Sequence, residues 1–136
     1  LRYHYTFSTY ERRPLLEDKE IRKELNDLFR AIAKEKDFKI IECEILADHV
    51  HLLIEQSYIL STSMAMKLLK GISSRRLFQK YPTNRFDIRK LWERSFRARK
   101  IKNEEKDVII NYIKNQRDEN GFDKRFQVKR EFILAK

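Results

Sequence analysis

Two imidazoles stand two residues apart in Asp48-His49-Val50-His51-Leu52-Leu53-Ile54, in a chain with only three histidines. On a β-strand, residues i and i+2 project from one face about 7 Å apart at the backbone, close enough to share one metal ion. Val50, Leu52 and Ile54 then face the core. A bare His-x-His equally describes two histidines on a half-buried sheet surface, bonded to backbone or water, and the spacing leaves both readings open. If Ala47-Asp48 is a two-residue turn, Leu46 pairs with His49 and Glu44 with His51. Glu44 then becomes a candidate outer partner of the imidazoles or even a ligand, and Asp48 a candidate outer partner. Far along the chain, Tyr112 and Gln116 stand at i and i+4 and share one face of a helix. Taken alone they are an amphipathic rim residue and a solvated amide.

The charge is concentrated. The chain of 136 residues carries 31 Lys and Arg against 21 Asp and Glu, a formal net charge of +10. Residues 67–102 hold 13 basic and 2 acidic side chains, whereas residues 1–66 hold 10 and 12, and residues 103–136 hold 8 and 7. A localised cationic segment is best explained by a polyanionic partner, because each neutralised phosphate releases counterions. Nucleic acid leads. An anionic membrane surface would favour a basic amphipathic helix with bulky apolar anchors, which this segment does not show clearly.

Composition removes other classes. The longest apolar run is Phe132 to Ala135, far short of the roughly 20 residues of a membrane span. No signal peptide is visible, and the first residue is Leu1, so a few residues are expected to be missing. The single cysteine, Cys43, excludes an internal disulfide framework and suits a cytoplasmic protein. Two glycines leave no Gly-rich phosphate loop. The length suits one domain over 1–136.

These groups need elements to position them. Arg2 to Tyr10 alternates, with Tyr3, Tyr5 and Phe7 on one side and His4, Thr6 and Ser8 on the other, and reads as a strand. Ile21, Leu25, Leu28, Phe29 and Ile32 give an amphipathic helix over Asp18 to Lys36. Phe38 to Leu46 and His49 to Gln56 read as strands. Ser61 or Ser63 caps a helix to about Lys80, with a stripe of Ala65, Leu68, Leu69, Ile72 and Leu77. Tyr81 to Lys90 reads as loop, and Leu91 to Ile101 as a strand with Trp92, Phe96 and Ala98 in phase. Trp92 belongs to the core rather than to a base-stacking platform. Cys43, in phase with Ile41 and Ile45, faces the core opposite the histidines. Asn103 is the expected N-cap of a last helix bearing Val108, Ile109, Tyr112 and Ile113 and ending near Gln116. Asn120-Gly121 is a turn, and the remaining tail is unassigned. The order strand, helix, strand, strand, helix, strand, helix implies an α+β sandwich with a mainly antiparallel sheet.

Taken together, Asp48 to Ile54, Lys70-Gly71-Ile72-Ser73-Ser74, Leu91-Trp92-Glu93-Arg94-Ser95-Phe96 and Tyr112-Ile113-Lys114-Asn115-Gln116 resemble the single-tyrosine HUH transposases of small insertion sequences, of TnpA type. The Tyr3-His4 strand and the Tyr10-Glu11-Arg12-Arg13 corner fit too, so the likeness spans about residues 3–116. It implies a four- to five-stranded, ferredoxin-like or RRM-like fold. It also implies that His49, His51 and Gln116 bind a divalent ion, Mg2+ or Mn2+, and that Tyr112 attacks DNA. Residues 117–136 lie outside it. The implied partner is single-stranded DNA with hairpins at element ends, handled by a homodimer whose active sites can be shared between subunits, in the cytoplasm of a prokaryote and on the nucleoid when bound. Arg12, Arg13, Lys67, Lys70, Arg75, Arg76, Arg94, Arg97 and Arg99 are the candidate DNA contacts. Two alternatives stay open: a non-catalytic module binding single-stranded or hairpin nucleic acid, and a replication or mobilisation HUH nuclease, which often uses a third histidine as ligand.

Overall fold

A computed structural model describes residues 1–81 and 90–116. Its elements are β1 (Arg2–Ser8), α1 (Lys19–Glu35), β2 (Lys39–Ile45), β3 (His49–Glu55), α2 (Thr62–Lys80), β4 (Arg97–Ile101) and α3 (Lys106–Lys114), with 3-10 turns at Tyr10–Arg12 and Asn103–Glu105. The strands form one antiparallel sheet in the order β2-β3-β1-β4. This is the expected element order and the ferredoxin-like arrangement.

Strand alternation splits the sheet into two unlike faces. Tyr5 and Phe7 of β1 and Val50, Leu52 and Ile54 of β3 pack under α1 and α2 with Leu25, Phe29, Ile32 and Leu69. The opposite face carries His4, Thr6 and Ser8 beside Leu53, His51 and His49. There a smaller cluster of Leu53, Ile101, Ile109 and Ile113 seats α3. Cover on both sides explains why β3 is buried from His49 to Ile54.

Local signals set the ends of the helices. The Asp18 carboxylate accepts from the Glu20 N–H at 2.8 Å and starts α1. Asp37 takes the left-handed conformation at φ 61°, and the Phe38 N–H returns to the Ala33 carbonyl at 3.0 Å, which closes the helix. The Ser61 hydroxyl caps α2 through the Met64 N–H at 3.0 Å. The last helix begins differently from expectation. The Asn103 side chain accepts from Arg2 instead of capping. A 3-10 turn follows, and the Glu105 carboxylate accepts from the Lys102 N–H at 3.1 Å.

Three further expectations shift. The buried stripe of α2 is Ala65, Met66, Leu69, Ser73 and Leu77, because the Ser73 hydroxyl accepts from the Trp92 indole at 3.1 Å. Leu68 and Ile72 are only half-buried. The strand expected over 91–101 is regular only from Arg97. Before it, Tyr10 and Leu91, and Glu93 and Ser8, exchange single backbone bonds of 2.9 Å around an isolated Thr9–Trp92 bridge. Trp92 is core, edge-on to Phe7 at 4.8 Å between centroids. Cys43 and Ile45 do face the main core, but Ile41 packs under α3, because a bulge between Ile40 and Glu42 reverses the phase. Most of the loop expected over 81–90, the turn at Asn120-Gly121 and the tail 117–136 lie outside the described residues. Among the described residues no helix is long and apolar enough to cross a membrane.

Candidate active site

His49 and His51 open β3, a central strand, and each is 4% exposed. Their ring centroids are 5.1 Å apart at 73°. The tight turn before them has the expected register, with Glu44 opposite His51 and the Leu46 N–H donating to the His49 carbonyl at 2.8 Å. Glu44 therefore shares their face of the sheet and is half-buried.

Each imidazole has its Nδ1 tied back into the protein. His49 Nδ1 lies 2.7 Å from Asp48 Oδ1. An ionised carboxylate only accepts, so this nitrogen carries a proton, and in the neutral ring Nε2 is the one with the lone pair. Burial alone would raise the Asp48 carboxyl, but the hydrogen bond from His49 and the Arg12 guanidinium, 3.5 Å from Oδ2, outweigh it and hold the group below its ordinary value. Arg12 stands in the left-handed region at φ 54°, at the corner after β1. His51 Nδ1 faces His4 Nε2 at 3.1 Å and Thr6 Oγ1 at 3.4 Å. The His4 and His51 rings stack, 5.3 Å between centroids at 25°. Burial first, and then the charge of Arg99, its register partner on β4, push the His4 pKa below its ordinary value.

Tyr112 completes the cluster from α3. Its ring stands edge-on to His4 and to His51, 6.0 Å from each centroid. It is 44% exposed, unlike the histidines beneath it. Ile109 and Ile113, three residues before it and one after, are buried against Leu53 and Ile101, so docking of α3 places Tyr112 over the imidazoles of its own chain. Gln116 follows one turn later, where its amide N–H donates to the Tyr112 carbonyl at 2.8 Å. The described contacts thus join His49, His51 and Tyr112, and leave Gln116 bonded within its own helix end.

The sequence reading missed His4 as a member of this group. Its signal was its phase with Thr6 and Ser8 on the face of β1 away from the core. What was lacking was the knowledge that β1 lies directly beside β3.

The basic residues divide by what they touch. Arg97 and Arg99 are exposed and lie opposite Thr6 and His4 in register, on the histidine side of the sheet. Arg99 also pairs with Glu105 at 3.1 Å. Lys67, Lys90 and Arg94 line a cavity of about 410 Å³ between α2 and the segment before β4. Arg75 is exposed, Arg76 binds Glu35 at 3.0 Å, and Arg13 binds Glu11 at 2.8 Å. Lys70 has a structural task. Its ammonium donates to the carbonyls of Glu93 at 2.6 Å, Ser95 at 3.0 Å and Arg94 at 3.3 Å, and lies over Phe7 and Phe96. Desolvation lowers its pKa.

Comparison with known proteins decides what kind of molecule carries this cluster. The sequence matches the family model described as "Transposase IS200 like" over residues 1–116. The chain belongs to the IS200-like transposases. It is 31% identical over 120 residues to the ISDra2 transposase TnpA of Deinococcus radiodurans, covering 87% of this chain and 85% of that protein. It is 30% identical over 131 residues to the transposase for insertion sequence element IS200 of Salmonella typhimurium, covering 93% and 84%. Among solved structures, a candidate transposase of D. radiodurans superimposes with a TM-score of 0.69 at 30% identity, over 85% of this chain and 90% of that one. A REP-associated tyrosine transposase bound to a REP hairpin superimposes with a TM-score of 0.59 at 17% identity, over 82% and 63%, and supports the fold. The IS200-like match ends at Gln116, where the described residues also end.

Proposed function

We propose that this transposase cuts and rejoins single-stranded DNA at hairpin-marked element ends, with Tyr112 as nucleophile. The phenolic oxygen attacks the scissile phosphorus and the bond to the 3′ oxygen breaks. A 5′-phosphotyrosine and a free 3′-OH result. The 3′-OH of a second strand reverses the step and releases the tyrosine, so the phosphodiester energy is kept and no nucleotide cofactor is needed. The single observation that carries this reading is the Tyr112 ring lying across His51 and His4, over the buried His49–His51 pair.

A phenol with an ordinary pKa of about 10 is a modest nucleophile, which calls for a cation beside the phosphate. His49 and His51 would hold a divalent ion, with the Gln116 amide oxygen as third donor. The donor set fits. His49 donates a hydrogen bond from Nδ1–H to a carboxylate, as metal-bound histidines commonly do, and its Nε2 would be the donor to metal. Among the described residues no group of three or more His, Cys, Asp or Glu side chains is arranged to hold an ion. The Gln116 amide is a donor of another type, and two imidazoles with an oxygen donor suit Mn2+, or Mg2+ with water and phosphate filling the rest. When bound, the ion polarises a phosphate oxygen and supports the charge that develops in the transition state.

Arg97 and Arg99, beside the histidines, and Lys67, Arg75 and Arg94, along α2 and the segment before β4, are the proposed phosphate contacts. The homodimer is part of this reading. Seating of α3 on its own sheet favours a site in which Tyr112 serves its own chain's histidines, and mixing Tyr112→Phe protomers with His49→Ala protomers tests it: activity that reappears in the mixture assigns the tyrosine to the partner instead. The main experiment uses labelled single-stranded DNA carrying an element end, with Mn2+. Wild type is expected to yield a covalent protein–DNA band, and Tyr112→Phe none, although it binds the same DNA. Tight binding without an adduct in wild type assigns the chain to the non-catalytic module.

A further inference from the structure

The contact between His4 and His51 has no role in the reaction as described so far. His4 comes from β1 and His51 from β3, 47 residues apart, yet His4 Nε2 and His51 Nδ1 meet at 3.1 Å with the rings stacked. One of the two nitrogens must donate and the other accept. If His4 donates, His51 Nδ1 is the accepting lone pair and the His51 proton sits on Nε2, where it blocks metal. If His51 donates, Nε2 keeps its lone pair.

His49 supplies the comparison. Its Nδ1 proton is fixed by Asp48 at 2.7 Å, which leaves Nε2 as its donor atom to metal. Two ligands that stand side by side on one strand present equivalent atoms only if His51 makes the same choice. For His49 the partner is a carboxylate at the preceding turn. For His51 Nδ1 the partner at 3.1 Å is a ring nitrogen of His4 on the adjacent strand. Thr6 Oγ1 lies at 3.4 Å, the outer limit for a hydrogen bond, and a hydroxyl can donate as readily as accept, so it does not select a tautomer.

We propose that His4 is the positioning residue of the metal site: its Nε2 accepts the His51 Nδ1 proton, fixes the His51 tautomer with Nε2 open to metal, and holds the ring plane by stacking. The assignment rests on His49 and His51 being the metal ligands. It requires His4 to act through His51 without touching DNA or metal.

The test reads the tautomer directly. Nitrogen-15 spectra of the whole chain, free of metal and near neutral pH, distinguish protonated from unprotonated Nδ1 and Nε2. Wild type is expected to show both His49 and His51 as Nδ1–H. His4→Phe keeps the ring contact but removes the acceptor, and should leave His51 as a tautomer mixture with His49 unchanged. His4→Gln, whose amide oxygen reaches about as far as the histidine Nε2, should restore Nδ1–H. Thr6→Val should leave it in place. Affinity for Mn2+, measured by titration, should fall about 10- to 100-fold in His4→Phe and recover in His4→Gln. An Nε2–H tautomer for His51 in wild type, or an unchanged His51 in His4→Phe, overturns the proposal, and the wild-type spectrum alone suffices if a variant fails to fold. If the tautomers behave as expected but wild type takes up no Mn2+, His4 still positions His51 and it is the metal reading that fails.

Discussion

Replacing Ile113 with alanine should detach Tyr112, the proposed nucleophile, without unfolding the protein. The helix that carries Tyr112 has nine residues. Isolated helices shorter than about 12–15 residues are marginal in water, so α3 owes its order to docking. The docking surface is small, made chiefly of Ile109 and Ile113 against Leu53 and Ile101, and Ile113 is fully buried. Truncating a buried isoleucine to alanine costs about 2–5 kcal/mol. The main core lies across the sheet under α1 and α2 and keeps all its contacts. The loss therefore falls on the docked state of α3. At about 1.4 kcal/mol per tenfold, the ratio of docked to undocked helix falls between roughly 30-fold and a few thousand-fold. Amide exchange resolves this by region. Residues 109–114 should lose protection while Leu52 and its strand neighbours keep theirs, as expected of a separately opening unit. Formation of the DNA adduct should follow the fraction of α3 that stays docked. Val108→Ala, at a position 68% exposed on the same helix, should change stability by no more than about 0.5 kcal/mol. Loss of protection in α3 and β3 together would refute the reasoning, as would full adduct formation from a freely exchanging α3.

Two substitutions of equal charge should part company. Arg97→Ala, at an exposed position beside the histidines, should leave thermal stability unchanged and lower the slope of log affinity for single-stranded DNA against log salt by about 0.7; an unchanged slope removes Arg97 from the interface. Lys70→Ala strips three carbonyls of their donor and should destabilise by about 1–3 kcal/mol in urea titration; a variant as stable as wild type would show that water replaces the ammonium freely. Burial pushes the Cys43 thiol up to about 12. Only about one part in ten thousand is then thiolate at pH 8, so alkylation should run at least about a hundredfold slower in the native chain than in urea, and a rapid native reaction contradicts the burial. The same shift favours the native state below the pKa of an ordinary thiol, and this contribution fades as pH rises from about 9 toward 12.

What the sequence made legible was periodic, and what it hid was lateral. Tyr3, Tyr5 and Phe7 against His4, Thr6 and Ser8 announce a two-faced strand, and the spacing of His49 and His51 puts both rings on one face, because strand alternation is a local property. The last helix was visible through Val108, Ile109, Tyr112 and Ile113 for the same reason. Neighbouring strands, in contrast, are chosen by burial summed over the whole sheet. Nothing near His4 announces that β1 lies against β3 in a register that brings it to His51. Bulges break local phase without a marker, which is why Ile41 and Cys43, two residues apart, face opposite cores. Polar side chains enlisted by the fold mislead in the same way. Ser73 is buried because Trp92 needs an acceptor, and the Lys70 ammonium, which charge alone groups with the candidate DNA contacts, also binds the irregular chain at Glu93 to Ser95. A charge count therefore does not separate the cations that the fold employs from those left exposed. The arginines that remain beside the imidazoles belong to β4, an edge strand next to β1, where a polyanion can approach without displacing any element of the core.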